Sequence, residues 1–291
     1  MKGIVVVNPY KIPESSLKQA NRLIKEFADL GVEVKIAYDC FVLFNVEEDK
    51  IISKLEGIDF AVFLDKDKYL SSILTKIGVK LFNSHQAIRK CDDKGETCLE
   101  LINSGVKMPK TMFAPLCFNK DVKIDFDYVN TIIQNLSLPI IVKESFGSMG
   151  YGVHKADTRE ELIELEKKLK LIPHIYQEYV GSKKGTDVRV IVIGKKAFAW
   201  MERVNEQDFR SNIGHGGKGK KIDLPNEFCL TAQRCAEVLD LDYCGVDLLY
   251  DKDNNPVVCE VNSNAFFDEI EKITGKNVAR EYAKYIVQNL R

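Results

Sequence analysis

Three sets of residues in this chain carry recognisable chemistry. The first is Lys143 on the apolar run 139–143, followed by Ser145-Phe146-Gly147-Ser148-Met149-Gly150-Tyr151-Gly152. Glycines beside Ser145 and Ser148 let backbone N–H groups approach anionic oxygens without side-chain obstruction, so the segment could cradle phosphates. A flexible hairpin turn has the same glycine pattern. Lys143 shifts the balance, because an ammonium on an apolar strand needs an anionic partner to offset desolvation, and a phosphate supplies one. The second set is Asp247, Glu260 and Asn262. On a strand, residues two apart project to one face, so Glu260 and Asn262 can address one ion while Asp247 arrives from a neighbouring strand. A few oxygen-only ligands suit a hard cation such as Mg2+, whose remaining positions go to water and nucleotide phosphates. Cross-strand polar pairs on a solvated face are the alternative, disfavoured by the apolar flanks. The third set is Arg189, Arg203 and Arg210, whose guanidinium forks match carboxylate or phosphate oxygens. A lone arginine is more often a surface ion-pair partner; these stand between the phosphate loop and the metal set.

The elements that must position these residues are legible in outline. An apolar run at 3–7, ending at Asn8-Pro9, an amphipathic stretch at 15–30 and a second apolar run at 32–37 form a β-α-β unit. Strand candidates at 60–64 and 79–82 extend it into a small α/β lobe with a parallel sheet over residues 1–90. No Gly-rich turn follows the first strand, which disfavours a dinucleotide-binding fold and leaves the lobe to shape a substrate site. A helix at 92–103, ended by Gly105, opens a central lobe at 91–175 that carries the Gly-rich loop. The segment 176–291 begins with the strand at 175–179 and continues with strands at 187–193, 197–202, 245–250 and 257–261 and a helix at 227–239, an α+β pattern that brings the metal set.

A formal net charge of −1 gives no global positive field, so nucleic acid is not an expected partner. No apolar stretch approaches the ~20 residues that span a bilayer, and the apolar start is too short for a signal segment, so no membrane association and a cytoplasmic location are expected. Eight cysteines without a C-x-x-C pair read as reduced, mostly buried thiols.

Taken in order, Asp93-Lys94, Ile141-Val142-Lys143-Glu144 with its Gly-rich loop, Gln177-Glu178-Tyr179, Asp187-Val188-Arg189, Asp208-Phe209-Arg210-Ser211-Asn212, Gly245-Val246-Asp247 and Glu260-Val261-Asn262 resemble the ATP-grasp superfamily, in particular the ribosomal-protein-S6 glutamate ligases of the RimK type. The resemblance runs nearly end to end. It implies an α/β N-terminal lobe plus an α+β ATP-grasp fold, with the nucleotide held between two sheet-containing lobes. It implies ATP with Mg2+, or Mn2+ in its place. Lys94 and Lys143 would meet ATP phosphates together with Ser148 and Gly150 of the loop. Adenine would lie beside Glu178, Tyr179 and the Val180 backbone, with Asp187 near the ribose. Arg210, Ser211 and Asn212 would form the nucleotide- and substrate-facing loop, and Asp247, Glu260 and Asn262 the metal ligands.

The expected reaction is ADP-forming carboxylate–amine ligation. An acceptor carboxylate becomes an acyl phosphate, and the amine of an amino acid, L-glutamate by resemblance, attacks it, with Arg203 or Arg210 stabilising the oxyanion. The acceptor is a small molecule or a protein C-terminus. Ligation of another amino-acid pair, as in D-alanine–D-alanine or glutathione synthesis, and a non-catalytic ATP-binding regulator are the alternatives. Relatives often form homo-oligomers. One departure stands out: Ser263-Asn264-Ala265-Phe266-Phe267 replaces the small residues and Pro-Gly that commonly follow the metal-binding Asn, so two aromatics are expected to reshape the acceptor pocket.

Overall fold

The structure, a computed structural model, describes residues 1–8, 10, 14–38, 42–45, 50–53, 55 and 57–290. Pro9, Cys40 and the side chains of Ser15 and His215 lie outside the described residues. The apolar run near the start becomes β1 (Lys2–Val7), buried along five consecutive residues as a central parallel strand must be. The helix α1 (Glu14–Asp29) returns the chain to β2 (Glu33–Tyr38), and β3 (Val42–Asn45) and β4 (Lys50–Ser53) form a separate antiparallel hairpin. Strand β5 (Phe60–Phe63), helix α2 (Lys68–Lys76) and strand β6 (Lys80–Phe82) complete a parallel sheet of order β2-β1-β5-β6.

The helix expected at 92–103 is two helices, α3 (His85–Asp92) and α4 (Lys94–Leu101). The break falls at Asp93, whose extended backbone (φ −90°, ψ 114°) lets its carboxylate cap α4 by accepting from the N–H groups of Gly95 and Glu96. Lys94 thereby becomes the first residue of a helix.

The central lobe contains β7 (Thr111–Phe113), α5 (Phe126–Leu136), β8 (Ile140–Glu144), β9 (Val153–Ala156), α6 (Arg159–Leu169) and β10 (His174–Glu178). Its antiparallel sheet has the order β7-β10-β8-β9. Strand β10, grouped by the sequence with the third segment, pairs with β8, Lys143 opposite Ile175. Its Tyr176 fills the core beneath α5 and α6 with Val129, Ile132, Val142 and Leu162.

The last segment runs β11 (Thr186–Ile193), β12 (Lys196–Val204), β13 (Lys218–Lys220), α7 (Asn226–Val238), β14 (Tyr243–Tyr250), β15 (Pro256–Asn262), α8 (Asp268–Thr274) and α9 (Val278–Asn289). Its sheet order is β13-β12-β11-β14-β15. Period-two alternation divides the two faces. Val188, Val190, Val246 and Leu248 pack with Phe228 and Ala232 of α7. On the other face, Ile191, Ala199 and Met201 join Val5, Phe27 and Phe60 of the first lobe and Tyr282 and Ile286 of α9 in one core. The first and last lobes are therefore fused, while the central lobe has its own core.

The seven described cysteines are free thiols. No helix among the described residues is long and apolar enough to cross a membrane.

Candidate nucleotide and substrate cleft

Cross-strand register places the polar residues of the last sheet together. Asp187 stands opposite Arg203, Arg189 opposite Asp247, Asp247 opposite Glu260, and Gly245 opposite Asn262. Directly opposed residues of an antiparallel ladder share a face, so Asp187, Arg189, Arg203, Asp247, Glu260 and Asn262 all project the same way.

A chain of ion pairs results. Arg203 donates from Nε to Asp187 Oδ1 at 2.7 Å and from Nη2 to Asp187 Oδ2 at 2.5 Å, and its Nη2 also lies 2.9 Å from Asp247 Oδ2. Arg189 grips Asp247 through Nε and Nη2, both at 2.7 Å. Burial alone would push the Asp247 carboxyl up, but Arg189 and Arg203 more than offset it and hold it below its ordinary value. Burial likewise opposes the Arg203 charge, and Asp187 and Asp247 override it.

Two adjoining cavities lie against this face. The first encloses about 790 Å³ including its open mouth, and Asp187 and Asp247 border it. The second, about 1760 Å³, is bordered by Arg189 and Arg203. Glu260 and Asn212 border both, so the row of ion pairs forms part of the wall between them.

The first cavity gathers most of the sequence-expected nucleotide residues: Lys94, Lys143, Gly150, Glu178, Tyr179, Val180, Arg210, Ser211 and Asn212. Ile141 and Leu249 supply apolar wall beside Tyr179. Glu178 faces the cavity while its carboxylate accepts from the Lys110 N–H at 2.9 Å. Lys143 is buried at 7% exposure, and among the described residues its Nζ donates only to neutral partners, the Cys259 carbonyl at 3.2 Å and the Cys259 sulfur at 3.7 Å. Lys94 Nζ donates to the Gly147 carbonyl at 3.1 Å and stands 3.5 Å from Glu260 Oε1.

The Gly-rich loop joins β8 to β9, as a hairpin reading requires. Gly152 sits at φ 72°, and a Cβ there would come within 2.8 Å of the Glu144 side chain, so any other residue would be strained and would displace Glu144. The loop is tied to the facing lobe by Arg210, which donates from Nη1 to the Gly150 carbonyl at 3.2 Å while Asp208 accepts from its Nε and Nη2. Ser148 borders the second cavity rather than the first.

The metal set can be judged by its free lone pairs. A carboxylate offers about four acceptor directions. Three on Asp247 are taken by guanidinium N–H groups, leaving one. Among the described residues, Glu260 has only the long Lys94 contact. Asn262 Nδ2 is buried without a partner, and turning the amide over would present its oxygen instead. Two carboxylates and an amide suit Mg2+ or Mn2+, and among the described residues no cluster of three His, Cys, Asp or Glu offers a softer site.

Arg203, expected at a reacting oxyanion, is 2% exposed with Nε and Nη2 committed to the two aspartates. Of the two aromatics after Asn262, Phe267 is fully buried in the core shared with α9, and Phe266 alone borders the second cavity. Adjacent residues here point to opposite sides, which the sequence reading did not resolve. Asp65 and Lys66, not among the residues expected from sequence, also border the second cavity. Lys66 Nζ pairs with Asp92 at 2.7 Å and approaches the Gly147 carbonyl at 3.4 Å. Their signal was position: they follow β5 at the carboxyl edge of a parallel sheet, where open α/β sheets place ligands.

Residues 91–286 match the family model described as RimK-like ATP-grasp domain. The chain is 32% identical to uncharacterized protein MG012 of Mycoplasma genitalium over 98% of this chain and 100% of that protein. It is 34% identical to the probable alpha-L-glutamate ligase of Aliivibrio fischeri over 91% of this chain and 89% of that one. The crystal structure of a RimK domain ATP-grasp protein from Sphaerobacter thermophilus shares the fold, with a TM-score of 0.73 at 16% identity over 99% of this chain and 100% of that one. An ATP-grasp architecture, a lysine-bearing cleft and a relationship that spans almost the whole chain lead to one assignment: the chain belongs to the RimK-like family of ATP-grasp carboxylate–amine ligases.

Proposed function

We propose that the chain joins the amine of an amino acid, L-glutamate foremost, to an acceptor carboxylate, with ATP converted to ADP and phosphate. The observation that carries this reading is Lys143, a buried ammonium with no ion-pair partner among the described residues, in a cavity it shares with Glu260. ATP phosphates supply its missing counter-charge. Glu260, Asn262 and the free lone pair of Asp247 would hold Mg2+ or Mn2+, which when bound neutralises phosphate charge.

The chain's own residues do the rest. Lys143 and Lys94 hold the oxygens of the transferring phosphoryl group as the acceptor carboxylate attacks the γ-phosphorus and ADP leaves. The loop from Ser145 to Gly152, anchored by Arg210, covers the resulting acyl phosphate against water. The amine, in its neutral form, then attacks the acyl carbon; the C–O bond to phosphate breaks, the amide forms, and the departing phosphate takes the proton released from nitrogen. Arg203 acts through Asp187 and Asp247, keeping both carboxylates in place on the nucleotide side. The second cavity accommodates the acceptor and the amine, and support for L-glutamate comes from the name of the Aliivibrio relative.

ADP release with Mg2+-ATP, L-glutamate and a library of carboxylate acceptors, small molecules and peptide C-termini together, tests the proposal. Glutamate-dependent ADP with a matching amide product is expected. Lys143→Ala and Glu260→Ala should each lower turnover by about a hundredfold or more while melting like wild type. ADP formed only with another amine would discard glutamate, and no ADP with any pair would discard the ligase reaction.

A further inference from the structure

We propose that Asp65 is the ammonium-binding residue of the second cavity, so that the amine substrate is a free amino acid held by its charged amine against the N-terminal lobe. The inference rests on the ligase reading above and adds to it the group that captures the amine.

Asp65 is 9% exposed and borders the cavity. Its Oδ1 accepts the neighbouring Lys66 N–H at 2.5 Å, whereas its Oδ2 is buried with no hydrogen-bond partner among the described residues. The charges around it are committed elsewhere. Lys66 turns its ammonium to Asp92 at 2.7 Å and toward the Gly147 carbonyl. Asp67, two residues on, caps α2 by accepting from the N–H groups of Tyr69 and Leu70, so Asp65 is not the cap. Three aspartates of the neighbouring cleft do have cations: Asp92 has Lys66, Asp187 has Arg203, and Asp247 has Arg189 and Arg203. Asp65 has no ion-pair partner among the described residues.

A buried carboxylate oxygen without a donor is costly to keep, and such groups persist where a ligand supplies the donor. An α-amino group is largely protonated near neutrality, so an amino acid arrives carrying both the charge and the hydrogens that Asp65 lacks. The χ2 torsion of an aspartate is soft, which lets the carboxyl swing toward a ligand in the cavity it borders. The position is also right. Lys66 and Lys94 share the Gly147 carbonyl, and Lys94 stands 3.5 Å from Glu260, so the Asp65-Lys66 step is linked by short contacts to the strand that would hold the metal.

The test is calorimetric titration of the full chain, saturated with Mg2+ and the non-hydrolysable analogue AMPPNP, with L-glutamate, L-aspartate, L-alanine and L-lysine, and with glutarate as the dicarboxylate without an amine. Wild type should bind at least one amino acid, and L-glutamate at least tenfold more tightly than glutarate. Asp65→Asn should weaken the amino acid at least tenfold and leave glutarate and AMPPNP unchanged. Equal amino-acid binding by wild type and Asp65→Asn, or an equal loss of glutarate, would overturn the role of Asp65 while leaving the ligase reading intact. Binding of AMPPNP with none of the amino acids would bring down the ligase reading and this inference with it. Should Asp65→Asn melt early, the wild-type preference for glutamate over glutarate becomes the deciding measurement, and its absence overturns the ammonium site.

Discussion

At the scale of single residues, two arginines of the cleft look alike in sequence and differ in surroundings. Arg203 is buried between Asp187 and Asp247, whereas Arg210 and Asp208 each keep about a quarter of their side chains exposed, at 25% and 26%. Removing one member of a buried ion network strands its partners, at a cost of roughly 3–5 kcal/mol. Arg203→Ala should therefore lower the urea midpoint substantially, while Arg210→Ala, which breaks a pair a quarter exposed to solvent, should change stability by about 0–1 kcal/mol. The second variant should instead raise the KM for ATP, because the Gly150 carbonyl loses its tether. Reversed outcomes, a stable Arg203→Ala and an unstable Arg210→Ala, would refute the assignment of structural and nucleotide roles. The pH dependence has a definite sign. Asp247 is held below its ordinary carboxyl value, so its contribution is fully present above the unfolded value of about 3.9 and is lost as pH falls through the depressed folded value. Arg203→Ala weakens that depression, and its acid unfolding should start at higher pH than that of wild type.

Elements set where such residues point, and here the sequence was informative only as far as local periodicity reaches. Lys143 in an apolar strand, and Glu260 and Asn262 two apart, declare their faces through a period of two. The Arg189–Asp247 pair does not, because it requires β11 beside β14, and those strands are separated by β12, β13 and α7. The helix break at Asp93 was legible in principle, since Asp93 followed by Glu96 has the spacing of a capping start. The central sheet supplies a further test. In β10, His174 contacts the Ile172 carbonyl through Nδ1 at 2.6 Å and the Tyr176 hydroxyl through Nε2 at 2.8 Å, and that hydroxyl donates to Glu166 at 2.7 Å. With the hydroxyl proton turned to Glu166, both ring nitrogens face acceptors, an arrangement that favours the imidazolium. Burial pulls the His174 value down, but Glu166 and the Ile172 carbonyl raise it above the ordinary 6.5. The stabilisation is therefore complete below about pH 6.5 and is lost as pH rises through the elevated folded value. An NMR titration of His174 should find it raised in wild type and lowered in Glu166→Gln, where burial acts with less opposition. A value unchanged by Glu166→Gln would show that the carboxylate does not hold the charge.

For the whole molecule, the division of the core decides how the lobes respond to ligand. The first and last lobes share one apolar core through α1, α9 and the face of β11 and β12, whereas the central lobe encloses its own beneath α5 and α6. Around the cleft, named contacts from the central lobe to the rest are largely polar: the Lys94 N–H to the Ser145 carbonyl at 3.0 Å, Lys143 to the Cys259 carbonyl, and Arg210 to the Gly150 carbonyl. Few apolar contacts across a boundary make a unit able to open on its own. Amides of β8 and β10 should accordingly exchange with solvent at a lower free energy than those of β11 and β14, even though all four strands are deeply buried. A nucleotide that meets Lys143 on the central lobe while its metal meets Glu260 on the other bridges the two units. At a hundred times its Kd, Mg2+-AMPPNP should add about 2.7 kcal/mol against any opening that releases it, slowing exchange in β8 and β10 by roughly a hundredfold. Hydrogen-exchange mass spectrometry with and without the analogue would show this as a selective gain in the central lobe. Equal protection of β8 and β11 before nucleotide is added would mean that the polar seam holds as firmly as the apolar core, and that the cleft closes by local movement of the Gly-rich loop alone.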